Sequence, residues 1–326
     1  MPSPTSALAT LRPDITGAFA EFGLEEDRLG FIGDLVLPVF EVPMQAGNTG
    51  RIPVEELLKK SDTNRSSTGG YNRSTWRFSP DTYSCVEHGH EGPVSDRVRA
   101  MYAEYFDASV ITAAYERDIV LRNRELRISA AVFNATTFTS QTTSVTNEWD
   151  SNHTATATPI QNVHTAKNAI YDRCGQWPNV LILNKKVFDN LRLLDSIMDA
   201  ITASGAGNPA KQSDITVAML SQVFDLEVIV ARGSQNTANE GQSVSIDQIW
   251  SSEYAMVAKV AKTRNYMEPC LGRTFHWNAD GSTPAGTIES YLSPEVRGEV
   301  FRCRMDSDEK LIYPECAQLL DNVTTI

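Results

Sequence analysis

Cys85, Glu87, His88, His90 and Glu91 fall within seven positions, in the stretch CVEHGHEG (85–92). A thiolate, two imidazoles and two carboxylates form the donor set of a zinc or related transition-metal centre. The first chemistry to weigh is therefore a cytosolic α/β metalloprotein built on Cys85, His88 and His90. The period of an extended strand stands against it. Successive side chains alternate faces, so His88 and His90 share one face and Cys85 lies on the other. A closed tetrahedral site needs further ligands, and His153, His164 and His276 share no spacing with this pair. Phosphate-binding glycine loops, HExxH, GxSxG and EF-hand patterns are absent from the sequence. The segment reads better as a strand that ends at Gly92-Pro93 and launches a helix. No catalytic residue, metal or cofactor is assigned.

The elements that would position these residues belong to a chain of 326 residues, enough for one large or two modest domains with a real core. Hydrophobic content of 41% and charged content of 21% are those of a globular protein. No apolar run approaches the roughly 18 to 20 residues of a membrane helix, and MPSPTSALATLRPD lacks the pattern of a signal peptide. The expectation is a cytosolic product without a membrane partner. Five scattered cysteines with no CxxC pair fit a reducing compartment. A formal charge of −12 opposes general binding to nucleic-acid phosphates. The charge is uneven, however. Residues 51–77 hold six basic side chains (Arg51, Lys59, Lys60, Arg65, Arg73, Arg77) against three acidic ones, whereas residues 1–45 hold two against seven. A basic segment in an acidic chain suggests that one copy docks on another.

Pro38 and Pro43 interrupt GFIGDLVLPVFEVP, which reads as an extended arm. From Gly47 to His90 the pattern is β-like around the turn-rich SDTNRSSTGGYN, predicting a hairpin with arms of roughly 12 to 15 residues, on the order of 40 to 50 Å long. A lone two-stranded ribbon is marginal in water, so this one must draw stability from outside its own subunit. Ser95 is a candidate N-cap. No Gly or Pro occurs from Ser95 to Phe133, so a helix of up to roughly 35 residues is allowed, with Val98, Met101, Tyr102, Tyr105 and Phe106 on one face. The Thr-rich 134–158 reads as strand and connection. Thr158-Pro159 predicts a capped helix, 179–183 and 226–231 short buried strands, and Asn184 and Asp214 further caps. The chain after Ile249 is largely strand.

An arm, a long basic hairpin, a long helix, an α/β region and late strands, in this order, resemble a major capsid protein of tailed bacteriophages with the Hong Kong 97 phage capsid fold. The stretches that carry the resemblance are FIGDLVLPVFEVPMQAGNTGRIP, YSCVEHGHEGPVSDR, LRNRELRISAAVFN, EWDSNHTATATPIQNVHTAKNAI, PNVLILNKKVFDNL, IWSSEYAMVAKV, GRTFHW and ESYLSPEVRGEVFRCRMDSDEKLIYPECAQLL. They span nearly the whole chain. The resemblance implies an α+β fold with an N-terminal arm (1–45), an extended β-hairpin loop (46–92), a spine helix with a peripheral-domain strand (93–158), an axial domain (159–245), peripheral-domain strands (246–310) and a C-terminal return to the axial domain (311–326).

It also implies a structural, non-enzymatic protein of the virion. Copies would assemble in the host cytoplasm into hexamers and pentamers of an icosahedral shell. That shell would enclose double-stranded DNA without reading its sequence, with a portal and, where needed, scaffolding or cement proteins as partners. Arg51, Lys59, Lys60, Arg65, Arg73, Trp76 and Arg77 would carry the loop's contact with a neighbour, and Phe31, Ile32, Leu37 and Val39 that of the arm. Some relatives begin with a long scaffolding region. Here the arm starts almost at residue 1, which implies a scaffold that is separate, absent or removed. Lys59 and Lys60 are available for a covalent cross-link, but no partner Asn or catalytic carboxylate is matched, so that chemistry is not carried over. The reading leaves room for an inter-subunit disulfide at Cys85 or Cys316. Alternatives are an encapsulin-like compartment, the metalloprotein above, and a phage tail or decoration protein.

Overall fold

A computed structural model describes residues 10–11, 30–103, 107–204 and 214–325. Tyr105, Phe106 and most of the arm at 1–29 lie outside the described residues. In chain order the strands are β1 (Thr10–Leu11), β2 (Val39–Val42), β3 (Ala46–Arg51), β4 (Ser79–Ser84), β5 (Val86–Ser95), β6 (Thr142–Ser144), β7 (Val180–Asn184), β8 (Glu227–Ala231), β9 (Ser234–Asn236), β10 (Ile246–Gln248), β11 (Ala255–Ala258), β12 (Gly272–Trp277), β13 (Thr287–Ser293), β14 (Gly298–Leu311) and β15 (Ala317–Asp321). The helices are α1 (Gly33–Val36), α2 (Val54–Leu57), α3 (Asp96–Tyr102), α4 (Ala108–Val132), α5 (Pro159–Cys174), α6 (Lys185–Leu191), α7 (Asp195–Ser204) and α8 (Val217–Phe224). None of the described helices is long and apolar enough to cross a membrane.

Two sheets organise the molecule. The first is built on the 14-residue β14. One edge of β14 pairs antiparallel with β13 and then β12, and the other with all ten residues of β5, from Gly298↔Ser95 to Ser307↔Val86. β2 adds in parallel to β12, and β1 adds antiparallel to β13. The 25-residue α4, about 37 Å long, lies across this sheet and buries Ala113, Ala114 and Val120 against Phe301, Cys303 and Met305. The second sheet has the order β6-β15-β11-β7-β8. Strand alternation gives it two apolar faces. Leu181, Leu183 and Val257 face α5 to α8, while Val180, Ile182 and Met256 face Ile128 and Val132 at the end of α4. α4 therefore contributes to the core of both halves.

Local signals explain most ends. Ser95 Oγ accepts from Val98 N, and Asn184 Oδ1 from Lys186 N. Gly175, at φ 64°, closes α5 in the left-handed region that favours glycine. Thr158 makes no side-chain cap, and Thr216, not Asp214, caps α8.

The domain plan needs three corrections. The hairpin ladder has six pairs, from Ala46↔Ser84 to Arg51↔Ser79, and ends where Pro53 has no N–H to give. Residues 86–95 are not its returning arm, because β14 offers them a ten-residue edge. The strands at 142–144 and 255–258, placed with the peripheral domain by the resemblance, lie in the second sheet. There β15 and β7 take up their backbone groups.

Candidate assembly surface

The extended loop rises from a clamped base. Cys85 N donates to Gln45 O at 2.9 Å and Ser84 N to Asp308 Oδ2 at 2.9 Å, while Tyr83 stacks on Phe275 with centroids 4.9 Å apart. Lys310 on β14 reaches Asp81 Oδ1 at 2.6 Å and also Thr82 O. Burial acts to raise the Asp81 carboxyl, but Lys310 and the Thr82 amide outweigh it and hold it below its ordinary value. Higher up, Arg51 donates to Ile312 O at 2.9 Å and approaches Glu315 at 3.5 Å, while Tyr313 Oη donates to Ile52 O. Val54 packs into the core beneath α5.

Past α2 the chain loses this support. Arg65 donates to Gly69 O at 2.7 Å and its guanidinium lies 4.5 Å from the Tyr71 ring centroid. Asn72 Nδ2 donates to Asp62 O, and Lys59 and Arg77 stand 3.9 and 3.8 Å from Glu56. All are contacts of the loop with itself. Lys60 and Arg73 are exposed. Tyr71 (75% exposed), Trp76 (56%) and Phe78 (69%) are open to solvent together with Leu58 (64%), so four large apolar side chains within 21 residues have no core of their own. Clusters of this kind mark contact surfaces. Of the seven loop residues singled out from the sequence, Arg51 is committed to its own chain, and the other six stand on the projecting part.

The arm residues are a correction. Ile32 is 3% and Leu37 0% exposed, both inside the core at the end of α4. Phe31 packs beside Gly233 with the Arg122 guanidinium over its ring, and Val39 is paired in β2. This segment is held from beneath by Glu125. Its carboxylate accepts from Ile32 N at 2.8 Å, Gly33 N at 2.9 Å and Trp250 Nε1 at 2.7 Å. A Cβ at Gly33 would stand 2.6 Å from Glu125 Oε2, so glycine is required there. Ile32 and Leu37 are therefore spent within this chain.

The Cys/His cluster does not converge. Cys85 is 1% exposed, packed near Phe275 on the sheet face away from α4, and burial followed by Asp308 and Asp306 pushes its thiol up to about 11. His90 turns the other way and pairs with Glu116 of α4. His88 lines a groove with Asn123 and Arg127, and burial followed by the Arg127 charge pushes it below its ordinary value. Among the described residues no three His, Cys, Asp or Glu side chains form a metal-holding group. The metalloprotein alternative fails on this geometry. All five cysteines are free and buried, which also removes Cys85 and Cys316 as accessible partners for an inter-subunit disulfide.

A second surface was missed. Val98, Met101 and Tyr102 follow helical spacing, yet α3 buries no residue, and Ile111 and Tyr115 of α4 are exposed as well. Periodicity reveals an apolar face but not whether its partner lies in the same chain.

No family model matches the chain. It is 24% identical over 267 residues to the major capsid protein of Pseudomonas phage JBD67, covering 79% of this chain and 80% of that protein. Among solved structures, a phage-related protein from Bordetella bronchiseptica RB50 superposes with a TM-score of 0.67 at 17% identity, over 97% of this chain and 98% of that one. The capsid of cyanophage P-SCSP1u gives 0.57 at 8% identity, over 87% and 85%. The chain has the α+β Hong Kong 97-type capsid fold, and its sequence is similar to that of a phage major capsid protein.

Proposed function

We propose that this chain is the repeating subunit of an icosahedral phage shell, assembling through hexamers and pentamers around double-stranded DNA in the host cytoplasm and remaining in the virion. Its role is structural and non-enzymatic, and a portal and, where needed, scaffolding or cement proteins are its other partners. The observation that carries the reading is the loop beyond α2. It is basic in an acidic chain and exposes large apolar side chains on a fold shared with capsid shells. A second copy is the partner that supplies both a dry surface and negative charge. The sequence relative, a phage capsid protein, favours this over an encapsulin-like compartment, which the fold alone does not separate.

The charge part is tested by Arg65→Glu with Arg73→Glu. Both residues are exposed and outside the core, so the subunit should keep its thermal transition. The concentration needed for assembly should rise at least about tenfold, a change of roughly 1.4 kcal/mol, and the defect should shrink as salt screens it. Light scattering against concentration reads this directly. Unchanged assembly at low salt would remove charge pairing from the account.

A further inference from the structure

Residues 278–286, which join β12 to β13, bridge the first sheet and α4. Arg124 Nη1 donates to Pro284 O at 3.1 Å and Arg117 Nε to Ala285 O at 2.8 Å. At the other end of the loop, Asp280 sits in a crowded set of carboxylates with Asp306 of β14 and Glu289 of β13. Arg304 is the guanidinium that serves them. It pairs with Asp280 Oδ2, donates from Nε to Glu289 Oε1 at 2.8 Å, and stays 3.8 Å from Asp306 Oδ2. Asp306 is 2% exposed, and its Oδ2 has no hydrogen-bond partner. Glu87 stands opposite Asp306 across the β5 pairing. Asp308 and Cys85 flank it on the same face. His276 packs beside them, with its ring nitrogens against the backbone oxygens of Asp306 at 2.8 Å and Ser282 at 3.2 Å.

Arg304 Nη1 pairs with Asp280 Oδ2 and lies 3.8 Å from Asp306 Oδ2, so the two carboxyl groups crowd one guanidinium nitrogen. Two ionised carboxylates are both acceptors, so that crowding is repulsive unless one of them carries a proton to donate. We propose that Asp280 and Asp306 hold one proton between them in the folded protein, and that losing it loosens the 278–286 loop and its grip on α4, a pH-sensitive device built into the sheet.

The two groups are driven apart. Burial, then the Asp280 carboxylate and Glu87, push Asp306 up to about 7. Burial also acts to raise Asp280, but the Ser282 amide and hydroxyl and Arg304 prevail and hold it at about 2. The shared proton therefore resides on Asp306. Its folded value lies above that of an unfolded aspartate, so the stabilisation is complete at acid pH and is lost as pH rises from about 4 through about 7.

Hydrogen exchange on the full chain, corrected for intrinsic rates, tests this in the wild type and in Asp306→Asn. In the wild type the opening constant of the 278–286 amides should rise roughly tenfold per pH unit between about pH 5 and pH 7 and level off above. Asp306→Asn should show a flat profile. Infrared spectroscopy supplies a reading that needs no folded variant. A protonated-carboxyl band of the wild type should titrate away with a midpoint near 7. A flat wild-type exchange profile, or no carboxyl band titrating in that range, would overturn the proposal. So would a pH-dependent profile that persists in a folded Asp306→Asn protein.

Discussion

Combining Tyr71→Ser, Trp76→Ser and Phe78→Ser is expected to abolish assembly while moving the thermal transition of the subunit by no more than about 2 °C. The three rings are more than half exposed and touch no part of the core, so their loss leaves the folded subunit little changed. In a shell they meet a neighbour. Aromatic side chains bury about 150–250 Å² each when fully covered. Roughly two-thirds of that remains available here, so each loop would remove about 300–500 Å² of apolar surface from water. At about 25 cal/mol per Å² this is on the order of 8–12 kcal/mol per loop. Ordering the loop consumes part of it, but a loss of even half weakens a contact by about a thousandfold. Sedimentation velocity would show subunits or small rings where the wild type forms particles. Full-sized particles from the triple variant would mean that the loop is not the main adhesive element.

The second large effect concerns Glu125. Glu125→Ala should lower stability by about 3–5 kcal/mol, because it strands three buried N–H donors, those of Ile32, Gly33 and Trp250. For a chain of this size that is a fall of roughly 6–15 °C in the transition. Glu125→Gln should fall between wild type and alanine. The glutamine oxygen can still accept from Ile32 and Trp250, but its amide nitrogen faces the Gly33 N–H, donor against donor. Burial raises the Glu125 carboxyl against the pull of these donors. That direction makes its contribution decline as pH rises through the folded value, so the gap between Glu and Gln should narrow toward alkaline pH. Differential scanning fluorimetry across pH measures both. Equal stability of the alanine variant would show that the arm is held by its apolar contacts alone.

Much of this architecture was legible because it rests on local chemistry. The runs at 180–184 and 227–231 are apolar on both faces, as strands buried between two layers must be, and Ser95 and Asn184 cap the helices that follow them. What was not legible depends on distant partners. Nothing near Val86–Ser95 says that it will leave the hairpin for β14, some 200 residues later in the chain. Ile32 and Leu37 look like an arm's adhesive residues until the hollow at the end of α4 that accepts them is known. The Cys/His cluster shows the opposite case. Strand parity alone separates Cys85 from His88 and His90, and the pairing of β5 places them on opposite faces of the sheet. Of the loop, its basic character and lack of support could be read, but not that Arg51 would be drawn back to Ile312 and Glu315.

The central claim is that copies of this chain build a shell. The most direct measurement is negative-stain electron microscopy with light scattering on the purified protein, at rising concentration and with a crowding polymer present. Closed particles tens of nanometres across, or rings of five and six subunits, are the predicted result. A single species of 36.0 kDa under every condition would contradict it.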